Sequence, residues 1–584
     1  MKSNYDKFPF IEVSARPGDC CRGWDSIAAR IRQSANPHAG SKTIVVVECY
    51  AGVDEAEVRR ELEQRLRPGL SLSAREAWCT PGEIAALVAP FVGGKDPVFG
   101  FLTGLTLDRF FDPQRLLDMR RQLEIVQEGM VLIVGCGASL ICETGLMIYA
   151  DLPRREAQLR FRRGETGNLG LDNWDQPENL KYKQAFFVDW RVCDRLKRRL
   201  LPRCDFLLDT TLRPDPKLVL GEALRAALRM SVTRPFRVVP FFDPAPWGGQ
   251  WMKEVCDLDR SARNFGWCFD CVPEENSLGL RFGEIRVEIP ALDLVFYQPH
   301  ELLGDAVFAR FGDEFPIRFD FLDTMGGGNL SLQVHPLADY IRQHFGMAYT
   351  QDESYYLLDA EPSAGVYLGL RDEVDPELMA RELLAAQSGG PAFPADKYVN
   401  RFPARKHDHF LIPAGTIHCS GGGSMVLEIS ATPYIFTFKL WDWGRLGLDG
   451  KPRPIHLQHG LANLLWQRNT TWTRRNLINC LETVDTGEGW REEHTGLHEL
   501  EFIETRRHWF TKPVPHHTRG GVHVLNLVEG VSALVESPDR AFEPFPVNYA
   551  ETFIVPAAVG PYRIRPLEPG PGGESATLQA SVRT

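Results

Sequence analysis

At 584 residues the chain is too long for one hydrophobic core, and about two to four domains are expected. Hydrophobic residues at 43% and charged residues at 24% are the ordinary balance of a globular protein. The formal net charge of −11 speaks against a dedicated nucleic-acid binder, because a phosphate backbone requires clustered Lys and Arg.

The opening stretch MKSNYDKFPFIEVS lacks the apolar run of a secretory signal. No window approaches the roughly 18 apolar residues of a membrane helix, so no membrane association is expected. The 13 cysteines are scattered, and an odd number without an export signal points to reduced thiols and the cytoplasm. CFDC, Cys268 to Cys271, is a single CxxC without a partner pair and reads as structural thiols.

The first third alternates apolar runs with helical patterns. KTIVVVECY (Lys42 to Tyr50), MVLIVGCG (Met130 to Gly137) and LMIYADL (Leu146 to Leu152) read as buried strands, and DEAEVRRELEQRL as a helix. Strands separated by helices predict a parallel sheet with helices on its faces. The turn after the first strand is where a P-loop kinase carries GxxxxGK[ST], but ECYAGVDEAEV has neither the lysine nor the glycine run. MVLIVGCGASLI and LMIYADLPRREAQLRFRRG nevertheless resemble the core strands and arginine-rich lid of uridine-kinase-like enzymes. That resemblance implies a degenerate kinase-like α/β domain over residues 1–235. Arg155, Arg160, Arg162 and Arg163 would then be the lid arginines, a candidate contact for a nucleotide or other anion. A solvated helix face is the plainer reading of the same basic run. GCGAS (Gly135 to Ser139) could alternatively begin a dinucleotide fingerprint, but it lacks the third glycine and a distal acidic residue at the required distance.

From about residue 236 strand-like alternation and Gly/Pro turns predict antiparallel β-structure, with helical interruptions near 376–388 and 457–466. In NLSLQVHP, Ser331, Gln333 and His335 share one strand face and Leu330, Leu332 and Val334 the other. Glu353 opens the apolar run of DESYYLLD, and His418 opens the strand after the IPAGT turn. Two imidazoles, a carboxylate and an amide oxygen from neighbouring segments form a reasonable zinc set; polar residues lining a barrel and bonded to one another are the alternative.

FPIRFDFLDTMGGGNLSLQVHP, DESYYLLDA, IPAGTIHCSG and LEIS, preceded by PWGG (Pro246 to Gly249), resemble in order the motifs of class I mannose-6-phosphate isomerases, a cupin family. The resemblance runs from about residue 236 to the end. It implies an all-β cupin (jelly-roll) module with helical insertions over 236–485 and a second, smaller cupin barrel over 486–584. It implies one zinc ion per chain on Gln333, His335, Glu353 and His418. It also implies interconversion of mannose 6-phosphate and fructose 6-phosphate through an enediol. Glu428 in MVLEIS is near the family's acidic residue and is a candidate acid/base. In TFKLWDWGR, Phe438 and Lys439 stand where the bacterial family has a tyrosine–arginine pair. The family arginine's role is therefore carried to Lys439, which keeps the charge but not the planar fork. Arg445 matches the later basic position, a candidate for the phosphate or the enediolate.

Gln351 replaces a lysine often found two residues before the glutamate. These departures leave open a sugar-phosphate sensor without turnover, or an isomerase of a different aldose or aldose phosphate. His407 and His409 alternate on one strand face outside the ligand positions and read as rim or structural residues.

Overall fold

The run from Lys42 to Cys49 places three valines and an isoleucine in a row, and such a run is stable as a strand only where both faces are covered. In the computed structural model, which describes residues 3–35, 41–94, 96–431, 434–496 and 501–584, it is an interior strand of a seven-stranded sheet. The strands are β1 (Cys20–Arg22), β2 (Lys42–Cys49), β3 (Leu70–Ser73), β4 (Gly129–Gly135), β5 (Leu146–Asp151), β6 (Phe206–Asp209) and β7 (Lys217–Leu220). Their order across the sheet is β1-β7-β6-β5-β2-β4-β3. The five strands β3 to β6 and β2 run parallel, while β7 and β1 pair antiparallel at one end. Helix α1 (Glu55–Leu66) follows β2 directly. Asp54 caps it by accepting from Glu57 N–H, and Arg67, in the left-handed region at φ 51°, ends it.

The chain divides into two units: an α/β unit of Phe10–Met230 with Ser277–Tyr297, and a β unit of Met1–Pro9, Ser231–Asn276 and Gln298–Thr584. The exchange of segments was not foreseen in the continuous boundaries at 235 and 485, and both exchanged pieces have a chemical reason. Within the α/β unit, the hairpin Ser277–Phe282/Ile285–Pro290 adds Ile11–Val13 as a parallel third strand. Just beyond it, Asp293 meets Lys197 at 3.0 Å, and Lys197 also reaches Asp151 at 2.8 Å, all three fully buried. A buried ammonium needs such partners. Within the β unit, Tyr5 hydroxyl donates to Asp270, and Asp6 N–H donates to Glu551 at 2.6 Å. Arg237 completes this knot with Glu551 at 2.7 Å.

The first half of the β unit is two facing antiparallel sheets. One contains β8 (Phe241–Asp243), β9 (Trp267–Cys271), β10 (Arg318–Asp323), β12 (Glu353–Ala360), β15 (His409–Ile412) and β17 (Ser424–Ser430), in the order β15-β12-β17-β10-β9-β8. The other contains β11 (Leu332–Val334), β13 (Gly365–Leu370), β14 (Val399–Pro403), β16 (His418–Ser420) and β18 (Phe438–Trp441), in the order β14-β13-β16-β11-β18. Helices Pro376–Gln387 and Leu457–Asn463 interrupt the strands where the sequence predicted interruptions. A second pair of sheets, six and four strands, is built from residues 482–582 around a core that includes Phe510, Leu525, Val535, Phe553 and Ile564. All the cysteines are free thiols, and Cys268 and Cys271 lie buried on β9.

Candidate metal centre

Strand register decides which side chains meet. On the second sheet β11 lies between β16 and β18, and Gln333 stands directly opposite His418 on one side and Lys439 on the other. Opposed residues of antiparallel strands share a face, so the amide, the imidazole and the ammonium project the same way. His335 follows one step after β11. Its backbone carbonyl accepts from Gly415 N–H at 3.0 Å, which fastens the PAGT turn to the ligand strand. Gly415 has φ 86°, and a Cβ there would sit 2.8 Å from Leu465 and 2.9 Å from Leu337, so this turn requires glycine. Glu353, at the mouth of β12 in the facing sheet, reaches across.

The result is a buried knot of three residues whose nitrogen and carboxylate atoms lie within 4.8 Å of one another and could hold a metal ion: His335, Glu353 and His418. His335 Nε2 is 3.1 Å from Glu353 Oε2 and His418 Nε2 is 2.9 Å from Glu353 Oε1. Yet His335 Nε2 and Glu353 Oε1 make no aligned hydrogen bond. Buried polar atoms that approach closely without pointing at one another are aimed at a common point, as ligands are. On the far side of each ring the orientation is fixed: His335 Nδ1 lies 2.8 Å from Phe436 O and His418 Nδ1 2.9 Å from Thr416 O. A proton held on each Nδ1 leaves Nε2 as a lone pair facing inward. Gln333 Nε2 lies 3.3 Å from His418 Nε2, and its Oε1 accepts from Ser331 hydroxyl at 3.0 Å. An end-for-end turn of this amide presents its oxygen to the same point.

The electrostatics follow from burial and proximity. Burial lowers His418, whereas at His335 the neighbouring Glu353 carboxylate outweighs burial and raises it. Burial would raise Glu353, but the two imidazoles hold it well below the usual carboxylate range. Gln351 supports the carboxylate: its Nε2 donates to Glu353 Oε2 at 3.1 Å while its Oε1 accepts from Phe436 N–H at 3.0 Å. Gln351 is thus an amide clamped between Glu353 and the Phe436 backbone.

Glu428, on β17, is cross-strand partner to both Asp320 and Tyr355. Burial, then the Glu353 and Asp320 charges, push its carboxyl well above the usual range, while Arg318 pulls it down. Asp320 is itself pushed up to about 6 by burial, held back by Arg318 at 3.0 Å. Arg318 and Asp320 escaped sequence reasoning, although two charged residues alternating inside the apolar FPIRFDF are a visible signal. Lys439, half-buried, makes no side-chain hydrogen bond or ion pair among the described residues. Burial and Arg453 bring it down to about 7 against the pull of Asp442. Arg445 is not a solvated surface residue: it donates to Asn329 O and to Asp442, and Asp442 also takes Arg453 at 2.6 Å. Arg453, carried back by the loop after Trp443, was a second residue that sequence spacing did not reveal. Phe438 faces the opposite way, stacked on His459 at 5.0 Å. His407 and His409 lie outside the knot. His407 contacts Tyr356 hydroxyl and Glu529, and His409 is wholly buried and depressed to about 3 by burial.

In the α/β unit the predicted lid arginines on α2 (Arg154–Arg162) and just after it are held internally. Arg160 donates to Gly52 O and Thr210 O and pairs with Glu156. Arg162 pairs with Glu178 at 2.6 Å and Arg163 with Glu165 at 2.7 Å. Arg154, beside them, is buried against Asp194 at 2.7 Å.

Residues 23–233 match the domain family described as a domain of unknown function, DUF8485. The chain is 25% identical over 231 residues, 39% of its length, to the probable mannose-6-phosphate isomerase GmuF of Bacillus subtilis, covering 68% of that protein. It is 26% identical over 217 residues, 37% of its length, to the mannose-6-phosphate isomerase of Streptococcus mutans, covering 63% of that protein. The matches thus span about two thirds of these relatives. The crystal structure of the mannose 6-phosphate isomerase from Bacillus subtilis aligns with 59% of this chain and 99% of its own, at 18% identity and a TM-score of 0.47. The chain therefore contains a region similar to mannose-6-phosphate isomerases. Among the described residues no helix is long and apolar enough to cross a membrane.

Proposed function

We propose that the β unit is a metal-dependent aldose–ketose isomerase interconverting mannose 6-phosphate and fructose 6-phosphate. One observation carries the reading: His335, Glu353 and His418 converge without hydrogen-bonding geometry between them, and Gln333, opposite His418 on one side, stands opposite Lys439 on the other, where Arg445 and Arg453 add positive charge. Gln333, His335, Glu353 and His418 would hold one zinc ion. Zinc there would supply positive charge beside the two substrate oxygens between which the carbonyl moves.

The chain's own residues divide the remaining work. Lys439, brought down to about 7, can lose its proton near neutrality, take the carbon-bound proton from one carbon and return it to the next. Glu428, whose carboxyl its surroundings push well above the usual range, can donate to and recover a proton from a substrate oxygen. Arg445 and Arg453, tethered by Asp442, offer guanidinium donors to the phosphate.

The test is conversion of mannose 6-phosphate by the purified chain as isolated, after chelation, and after zinc is restored. Conversion lost and regained supports the isomerase. Bound metal and bound sugar phosphate without conversion would favour the second reading, a sensor, to which Lys439 and Gln351 point. For the α/β unit we propose descent from a P-loop kinase. Strand order β3-β4-β2-β5-β6 with β2 central supports it, and the acidic Asp54 and Glu55 in place of a phosphate-binding turn argue that phosphoryl transfer is lost.

A further inference from the structure

The turn after β2 closes on itself where a phosphate would need space. A Cβ on Gly52, at φ 103°, would lie 3.0 Å from Ala157 Cβ, and Asp54 uses its carboxylate to cap α1. Two carboxylates at a helix N-terminus repel a phosphate rather than attract one. Beside this turn, however, lies a cleft with about 650 Å³ of empty space, within the α/β unit. It opens at the carboxyl end of β2, where the chain leaves toward β3 on one side while β5 lies on the other. That is the switch point at which open parallel sheets bind ligands.

The lining has a distinct chemistry. Asp54 and Glu165 are matched by Arg213 at 3.1 and 3.5 Å. Glu55 forms no ion pair among the described residues: Oε1 accepts from Cys136 N–H at 2.8 Å, and burial pushes the carboxyl up against the pull of that hydrogen bond and of the Arg75 charge. Arg75, the cleft's own cation, is turned to Asp172. Thr166 is 7% exposed, and its hydroxyl has no hydrogen-bond partner. Trp174 stands at the rim, 43% exposed, and Trp78 forms the inner wall. Within one cleft, therefore, lie a carboxylate, an unpartnered hydroxyl and aromatic faces, and the arginine that lines it is paired with Asp172.

We infer that this cleft binds a small organic cation, an amine or guanidine, and not a phosphate. Its charged head would meet Glu55 and Thr166, and its stem would lie against Trp174, a pairing favoured by the ring quadrupole. The site is independent of the isomerase reading, since all its residues belong to the α/β unit.

Titration calorimetry on the full chain with agmatine as the probe, and with inorganic phosphate and ATP as anion controls, tests this. One agmatine per chain is expected, with no heat from either anion. Glu55→Gln, which keeps the acceptor for Cys136, should weaken agmatine at least about tenfold. Trp174→Ala, at an exposed position that leaves folding intact, should weaken it and abolish the accompanying fluorescence change. No agmatine binding at millimolar concentration overturns the inference, as does binding unchanged in Trp174→Ala, or phosphate or ATP displacing agmatine. If Glu55→Gln does not fold, Trp174→Ala and the anion controls decide.

Discussion

Gln333 and Lys439 stand opposite each other on adjacent antiparallel strands, so an amide beside the metal knot and an unpaired amine share one face. Among the described residues the charges acting on the lysine there are those of Arg453, Asp442 and Arg445. This arrangement lets lysine do what arginine cannot, namely lose its proton near neutrality.

Isomerisation by the zinc-loaded chain should therefore rise with pH through about 7 and level off above it, as the free amine of Lys439 accumulates. Lys439→Arg should remove that limb and lower kcat by about 10²-fold or more. Retained activity with an unchanged profile would show that the lysine supplies only charge.

The same residue has a stability signature. Folding lowers the lysine from its ordinary value to about 7, so above pH 7 the unfolded chain binds more protons than the folded one. The cost of burying the charge is fully present below about pH 7 and fades as pH rises toward the ordinary lysine value. Lys439→Met should melt higher than the parent at neutral pH, and the gap in Tm should narrow by about pH 9. A constant gap would contradict this.

His335→Ala and His418→Ala should each abolish metal content and conversion together. Gln351→Ala, which removes only the clamp on Glu353, should weaken metal binding by about 10–100-fold while leaving the ligands in place. Competition with a chromogenic chelator reads both. Because Glu353 raises His335, a proton competes with the metal already above the ordinary histidine value, so affinity should begin to fall with pH while still above about 6.5.

Arg154→Ala should destabilise the α/β unit by about 3 kcal/mol, since it strips a buried partner from Asp194. Thermal melts should show this loss with no change in response to added nucleotide. A stable variant would mean that the arginine is spare for a ligand.

The strand carrying Gln333 and His335 was legible because strand periodicity is two and its polar residues fall on one face; three ordered motifs singled out Gln333, His335, Glu353 and His418, and the last three lie within 4.8 Å of one another. Sequence could not disclose that Arg160 and Arg163 are spoken for by carbonyls and carboxylates, because a sequence displays charges and not their partners. Nor could it disclose Arg453, which a loop of Gly and Asp returns to Asp442 from outside any strand pattern. The parallel sheet was readable from its buried runs. The exchanged segment at 277–297 was not, because its strands look like their neighbours and only Asp293 meeting Lys197 explains where they go.

The exchange has a consequence for how the polypeptide emerges from the ribosome. The α/β unit begins first but cannot close until Tyr297 has been made, by which time Ser231–Asn276 of the other unit is already out. Residues 3–9 must wait longer still, because Glu551, which accepts from Asp6, comes nearly last. A gene cut at residue 235 would therefore leave both halves with an open seam, and each piece should be expressed with the partner strands restored or not at all.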